Sequence, residues 1–220
     1  MDIALIGYGK MGHAVEALAK ARGHKVTLAI DRDDPWPERI EANVAIEFTT
    51  PATAVDNIKR CLAMGLPTVS GTTGWNARYD EVAAYCREVS GALFTASNFS
   101  IGMNIMFALN ERLAQLMKSH PEYTASISET HHIHKLDAPS GTAITLREQI
   151  VPFVAQEVPI ASHRIGEVPG THTVTYDSKV DTITLTHEAH SREGLAQGAL
   201  LAAEWIVGRK GCFTMKDLLA

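Results

Sequence analysis

The chain has 220 residues, 45% of them hydrophobic, with 25 acidic against 20 basic side chains and a formal net charge of −5. That is apolar material for one large domain or two modest ones, and the absence of any lysine or arginine run gives nucleic acid and anionic membrane surfaces no electrostatic footprint. Cys61, Cys86 and Cys212 are scattered outside any CxxC or CxxH spacing, MDIALIGYG breaks its apolar run at Gly7, and no apolar stretch reaches about 18 residues; the expectation is a cytoplasmic protein with reduced thiols, no secretory leader and no membrane span.

Taken in chain order, Asp2 to Ile6 reads as a buried strand, Met11 to Arg22 as a helix closed by Gly23, and Lys25 to Ile30 as a second strand. DRDDPWPERIEA is a polar link too broken for a full crossover helix. Val44 to Phe48 is a strand, after which Thr50 caps and Pro51 opens a helix running to about Met64. Thr68 to Ser70, a helix from Asn76 to Val89, and the strand Ala92 to Ala96 complete the alternation. Strands alternating with helices predict an α/β fold, a Rossmann-type doubly wound parallel sheet. Beyond Gly102 the pattern changes to a helix from Met103 to about Lys118, a strand Thr124 to Ser128, a histidine-rich loop, a helix from Gly141, and the strands HTVTY and TITLTHEA. These predict a second, α+β domain with a mixed or antiparallel sheet over 103–190. The apolar helix 194–208 would return to cover the first domain, so that 191–220 complete residues 1–102.

IGYGKMG places Gly7, Gly9 and Gly12 in GxGxxG spacing between the first strand and the first helix, where a tight turn, a close backbone approach to pyrophosphate and close helix packing are each required. The helix end adds unpaired N–H groups and partial positive charge. Asp31 stands at the end of the second strand, about 20 residues on, where a carboxylate accepts ribose hydroxyls. Strand, helix and acid together indicate NADH or NADPH; a tight turn beside an unrelated acidic loop is the plainer alternative. Arg32 could pair with a 2′-phosphate or be a solvated surface residue, so both cofactors stay open. The loops Gly71 to Gly74 and Ser97 to Phe99 fall at the carboxyl edge of the sheet, where ligands of such folds bind.

ETHHIHKLDAPSGTAI packs His131, His132, His134 and Lys135 just ahead of a helix that Ser140 caps and Gly141 and Thr142 begin. Such a loop can hold a carboxylate and deliver a proton, which beside a reduced nicotinamide suggests hydride addition to an activated C=N or C=C. A metal site lacks an obvious third ligand, a serine hydrolase lacks the GxSxG elbow, and a purely structural loop is the remaining alternative, to which His134 and Asp137 belong in part.

GYGKMG, IEFTTP, SGTTGW, SNFSIGMN, ETHHIHKLDAPSGTA and THEAHSR together resemble the dihydrodipicolinate reductase family, which acts on 4-hydroxy-tetrahydrodipicolinate in the lysine and diaminopimelate pathway. The resemblance spans nearly the whole chain. It implies His131 and Lys135 as the acid/base and proton-donating residues. It implies His132, Ser140, Gly141 and Thr142 as carboxylate-binding. Cofactor contacts fall on Gly7, Tyr8, Gly9, Lys10, Met11, Gly12, Asp31, Arg32, Phe48, Gly71, Thr72, Thr73, Ser97, Asn98 and Phe99. It also implies NADH or NADPH as cofactor, a small dicarboxylate substrate and a homotetramer built through the second domain's sheet, with no metal. The chain departs from longer family members in two shortened segments, 32–43 at the adenine end and 156–170 ahead of HTVTY. Two other classes compete: a different NAD(P)-dependent enzyme of amino-acid precursors, which a cysteine in the cofactor loops would favour, and a nucleotide sensor, which would have lost His131 or Lys135.

Overall fold

A computed structural model of the chain describes residues 1–191 and 193–220, and divides them into two compact units, Met1–Ser100 with Glu193–Ala220 and Ile101–Arg192. In the first unit the strands β1 (Asp2–Ile6), β2 (Lys25–Ile30), β3 (Val44–Glu47), β4 (Thr68–Ser70), β5 (Ala92–Thr95) and β10 (Gly211–Phe213) form one parallel sheet in the order β10-β5-β4-β3-β1-β2. The helices α1 (Lys10–Ala21), α2 (Pro51–Ala63), α3 (Tyr79–Glu88) and α6 (Glu193–Ile206) cover it. Burial on both faces is why residues 3–6 of β1 and 44–46 of β3 are continuous apolar runs. The predicted Rossmann-type sheet is therefore present, with one strand more than the sequence indicated: β10 is three residues long, too short to carry a periodic signal, and the short helix α7 (Met215–Leu219) after it was also unforeseen.

Thr50 and Pro51 open α2, with a reciprocal capping arrangement between Thr50 and Thr53. The link from β2 to β3 contains no helix. Instead Ile40 is buried beside Ile6, Ile30 and Ala45, with Trp36 partly buried against the same cluster and its ring under the Arg60 guanidinium at 4.8 Å. α6 packs on α1 and on β3, β4 and β5, and at Gly198 the approach is so close that a Cβ would fall 1.7 Å from the Phe99 carbonyl oxygen.

The second unit holds α4 (Ile101–Met117), β6 (Thr124–His131), α5 (Gly141–Ile150), β7 (Ile160–Arg164), β8 (Gly170–Asp177) and β9 (Thr182–Ala189), the strands in the order β7-β6-β8-β9. The sheet is mixed: β7 runs parallel to β6, while β8 and β9 are antiparallel. β7 was missed in the sequence because its edge position leaves most of IASHR exposed and without alternation. One sheet face buries Ala125, Ile127, Val174 and Tyr176 against Met103, Met106, Leu146 and Ile150. Strand alternation carries that same face on to Glu129 and His131 in β6 and to His172 in β8, all buried. The core thus changes from apolar to ionisable within one turn of pleat, next to the start of α5.

Candidate active site

Eight of the fifteen cofactor residues named from the sequence line two cavities at the carboxyl edge of the first sheet. Gly7, Gly9, Asp31, Arg32 and Phe48 line one of about 270 Å³, together with Trp36. Thr72, Thr73 and Ser97 line a second of about 500 Å³. The three motif glycines have different reasons to be glycine. Gly7 has φ +93° and a Cβ there would lie 2.0 Å from the Phe48 carbonyl oxygen; a Cβ on Gly12 would lie 2.5 Å from the Gly7 oxygen. Gly9, in contrast, has nothing within 4 Å of where its Cβ would stand. Protein packing demands the first and third and places no demand on the second. Gly9 is also the N-cap of α1, supplies no side-chain cap and is followed by no acid in the first turn, so the helix end is free to hold an anion. The residues fit a dinucleotide.

Others on that roster serve the frame. Phe99 is buried, its ring 5.9 Å from Phe48 and 6.0 Å from Phe94, and Gly71 lies against the Phe48 ring, which a Cβ would meet at 2.0 Å. The Tyr8 hydroxyl donates to Glu16, which in turn pairs with Lys20. Asn98 accepts from the Ser100 amide at 2.9 Å. Lys10 is exposed and Met11 half-buried at the start of α1. Glu47 was overlooked: wholly buried at the end of β3, it accepts from Ser70 Oγ at 2.6 Å, Thr72 Oγ1 at 2.8 Å and the Thr49 amide at 3.0 Å, and from the Thr49 hydroxyl. One carboxylate therefore fixes the loops after β3 and β4 that carry Phe48, Gly71 and Thr72.

In the second unit, Ser140 is the N-cap of α5, its Oγ accepting from the Ala143 amide at 3.2 Å. The amides of Gly141 and Thr142 come before the first intrahelical bonds, as an anion site requires. We expect Ser140→Ala to cost about 1 kcal/mol of stability, measured by denaturant unfolding, since it removes this bond from a buried cap. The Ser140 amide donates to Glu129 Oε1 at 3.0 Å, which also accepts from Ser162 Oγ at 2.8 Å and lies 3.4 Å from Arg164 Nη2. Arg164 further donates to the carbonyls of Lys135 and Asp137, pinning the loop to β7. Lys135 Nζ stands 2.8 Å from Asp137 Oδ1. His132 is half-buried beside buried His131, and exposed His134 faces Glu167 at 3.1 Å.

His131 Nδ1 faces Glu129 Oε2 at 3.4 Å, and His172 Nε2 faces the same oxygen at 3.7 Å. Ligand-type atoms of these three residues lie within 4.8 Å of one another; His132 is not among them, and His172, from β8, is a neighbour the sequence reading did not name. Burial pushes the His131 imidazole below its usual range, as do the Lys135 and Arg164 cations, against the opposing pull of Glu129 and Asp137. Burial, reinforced by His131, pushes His172 down to about 4. Burial would raise the Glu129 carboxyl, but the hydrogen bonds from Ser140 and Ser162, with His131 adjacent, outweigh it and hold the group below the usual carboxylate range. Glu129, Ser162, Arg164 and His172 were not singled out from sequence.

Family models described as dihydrodipicolinate reductase, N-terminus, and dihydrodipicolinate reductase, C-terminus, match residues 1–99 and 102–219. The chain belongs to the dihydrodipicolinate reductase family. A 4-hydroxy-tetrahydrodipicolinate reductase of Christiangramia forsetii is 44% identical over all of this chain and 98% of its own length. One from Lawsonia intracellularis is 32% identical over the full length of both. Among solved structures, a dipicolinate-bound dihydrodipicolinate reductase from Paenisporosarcina sp. TG-14 superposes with a TM-score of 0.79 over 97% of each chain at 21% identity, a likeness of fold. Aspartate semialdehyde dehydrogenase II of Vibrio cholerae shares the fold more loosely, with a TM-score of 0.55 at 12% identity over 94% of this chain and 98% of its own. Membership of the dihydrodipicolinate reductase family bears out the resemblance drawn from the sequence motifs; Arg192, the last residue of THEAHSR, lies outside the described residues.

Proposed function

We propose that this protein reduces 4-hydroxy-tetrahydrodipicolinate, by way of its dehydrated form dihydrodipicolinate, to tetrahydrodipicolinate with NADH or NADPH, in diaminopimelate and lysine biosynthesis. The observation that carries this reading is one segment in which buried His131 at the end of β6, Lys135 in the loop and the amides of Gly141 and Thr142 at the start of α5 are gathered by Glu129 and Arg164. Full-length kinship with reductases named for this substrate supports it.

A bound reduced nicotinamide supplies a hydride to C4 of the conjugated imine ring. Gly7 to Gly12 and the α1 end receive the pyrophosphate, and Asp31 the adenosine ribose. Phe48, Gly71 to Thr73 and Ser97 to Phe99 form the walls toward the nicotinamide. Electron density moves toward the ring nitrogen and the ring carbon between C4 and the imine carbon, and Lys135 and His131 serve to deliver the proton that must follow. His132, Ser140, Gly141 and Thr142 hold the substrate's carboxylates, whose charge Lys135 and the helix end offset. We read the Glu129, His131 and His172 cluster as handling protons rather than a metal, because Arg164 and Lys135 already bring two cations to it and Glu129 Oε1 is already engaged.

The same reading makes the protein a cytoplasmic homotetramer assembled through the sheet of the second unit. Among the described residues no helix is long and apolar enough to cross a membrane. The face of that sheet away from α4 and α5 carries Ser126, Ser128, Thr173, Thr175, Thr184 and Thr186, short uncharged side chains suited to close packing. Light scattering coupled to gel filtration should return four times the chain mass.

The test is cofactor oxidation, followed by loss of nicotinamide absorbance, with substrate generated in situ from pyruvate and aspartate semialdehyde by the preceding synthase. Substrate-dependent oxidation is expected. Its absence with both cofactors, from folded protein that binds either, would overturn the assignment. We further expect Asp31→Ala to weaken NADH about tenfold or more, as two charge-assisted bonds to the ribose are lost, while NADPH changes little; fluorescence titration with each cofactor reads this, and equal losses would refute the role.

A further inference from the structure

His131 is buried, and each neighbour bears on which of its nitrogens can exchange a proton. On its own strand is Glu129; across the sheet are His172 on β8 and Arg164 on β7; Lys135 and Asp137 face it from the loop, and His187 on β9 stands behind His172. The His131 and His172 rings meet edge to face at 5.0 Å. Glu129 Oε2 and His131 Nδ1, like His172 Nδ1, are buried without a hydrogen-bond partner, and the first two look at each other across 3.4 Å. The other oxygen of Glu129 is engaged by the Ser140 amide and Ser162 Oγ, so only Oε2 is left for an imidazole. On the far side of the ring, Gly170 opens β8, and a Cβ there would stand 3.1 Å from His131 Nε2. Glycine thus leaves uncovered the one nitrogen that Glu129 does not face.

We propose that Glu129 is the positioning residue of the proton-transfer site: its Oε2 takes the Nδ1–H of His131, which makes Nε2 the nitrogen that exchanges protons with substrate, while its Oε1 sets the start of α5 through the Ser140 amide. One carboxylate then orients both the acid and the carboxylate-binding helix end. This rests on the assignment of His131 as an acid/base group. The geometry is the logic by which an anion behind an imidazole selects its tautomer and stabilises its charged form.

Glu129→Gln discriminates sharply. Three donors, from Ser140, Ser162 and Arg164, converge on the Oε1 position, so the amide oxygen stays there and the NH2 replaces Oε2. That NH2 must donate to His131 Nδ1, which moves the neutral ring's proton to Nε2. The charged ring also loses its anion while Lys135, Arg164 and burial continue to oppose protonation, so its midpoint falls and activity that needs protonated His131 fails at lower pH.

The experiment is ¹⁵N imidazole NMR of the ligand-free full chain against pH, with the His131 signals assigned by their loss in His131→Gln, alongside steady-state kinetics. Expected are an Nδ1–H tautomer in the native chain, an Nε2–H tautomer with a lower midpoint in Glu129→Gln, and a fall in kcat of about 10²-fold with substrate and cofactor KM within about threefold. Glu129→Asp should restore the Nδ1–H tautomer and part of kcat. An Nε2–H tautomer in the native chain, or an unchanged tautomer or kcat in Glu129→Gln, would overturn the proposal. A native chain with the Nδ1–H tautomer but no reduction of the imine would instead refute the proposed reaction and leave the positioning geometry standing.

Discussion

Lys135→Ala should lower kcat by roughly 10²- to 10⁴-fold, the range a positioned general acid contributes, with NADH affinity little changed because every residue proposed to hold the cofactor belongs to the other unit. The ammonium is held 2.8 Å from Asp137 on a loop that Arg164 pins by two backbone carbonyls, so it is pre-positioned rather than a free surface cation. Lys135→Arg separates its two duties. Arginine keeps the charge that attracts a dicarboxylate but gives up its proton far less readily, so substrate KM should stay near the native value while kcat remains depressed. Steady-state kinetics with a fluorescence titration of NADH measures both, and near-normal turnover in either variant would remove Lys135 from proton transfer.

The second large effect separates two glycines of one motif. Gly7→Ala puts a methyl 2.0 Å from a backbone oxygen at φ +93°, which combines a strained conformation with a clash that no side-chain rotation relieves. We expect a loss of about 2–5 kcal/mol and a fall in Tm on the order of 10 °C. Gly9→Ala meets nothing within 4 Å and has an unstrained φ of −81°, so Tm should hold within a degree or two. Gly9 lines the 270 Å³ cavity, and NADH affinity should fall at least tenfold. Differential scanning calorimetry and cofactor titration of the two variants make the comparison; a destabilised Gly9→Ala, or one that binds NADH normally, would contradict it.

Much of the first unit was legible because glycine, proline and capping residues punctuate it. Thr50 and Pro51 mark the start of α2, and the apolar runs of β1 and β3 announce strands covered on both faces. β7 and β10 were not, since a short edge strand has no periodic burial to imprint on its sequence. The histidine pair and lysine stood out by composition, yet their buried partners did not. Extending the alternation of Ala125 and Ile127 by two more steps lands on Glu129 and His131, but a run of ionisable residues suggests a loop, and the strand was ended at Ser128. His172 alternates with Val174 and Tyr176 in the same way and passed as an ordinary strand residue. Glu47 has no sequence signal of its role: four hydroxyl and amide contacts from Thr49, Ser70 and Thr72 make its full burial tolerable, and two of those partners come from a later strand and its loop.

β9 closes the second sheet on one side with eight residues, TITLTHEA, in which Glu188 is the single formal charge and proline is absent. Such a rim is a template on which any other extended chain can add itself, and little in its own composition discourages that. The hazard falls on a separated protomer. Were the proposed homotetramer parted by dilution or mild denaturant, its protomers should be lost to precipitation sooner than they accumulate as soluble folded monomers, which would make that assembly a protective as well as an architectural matter.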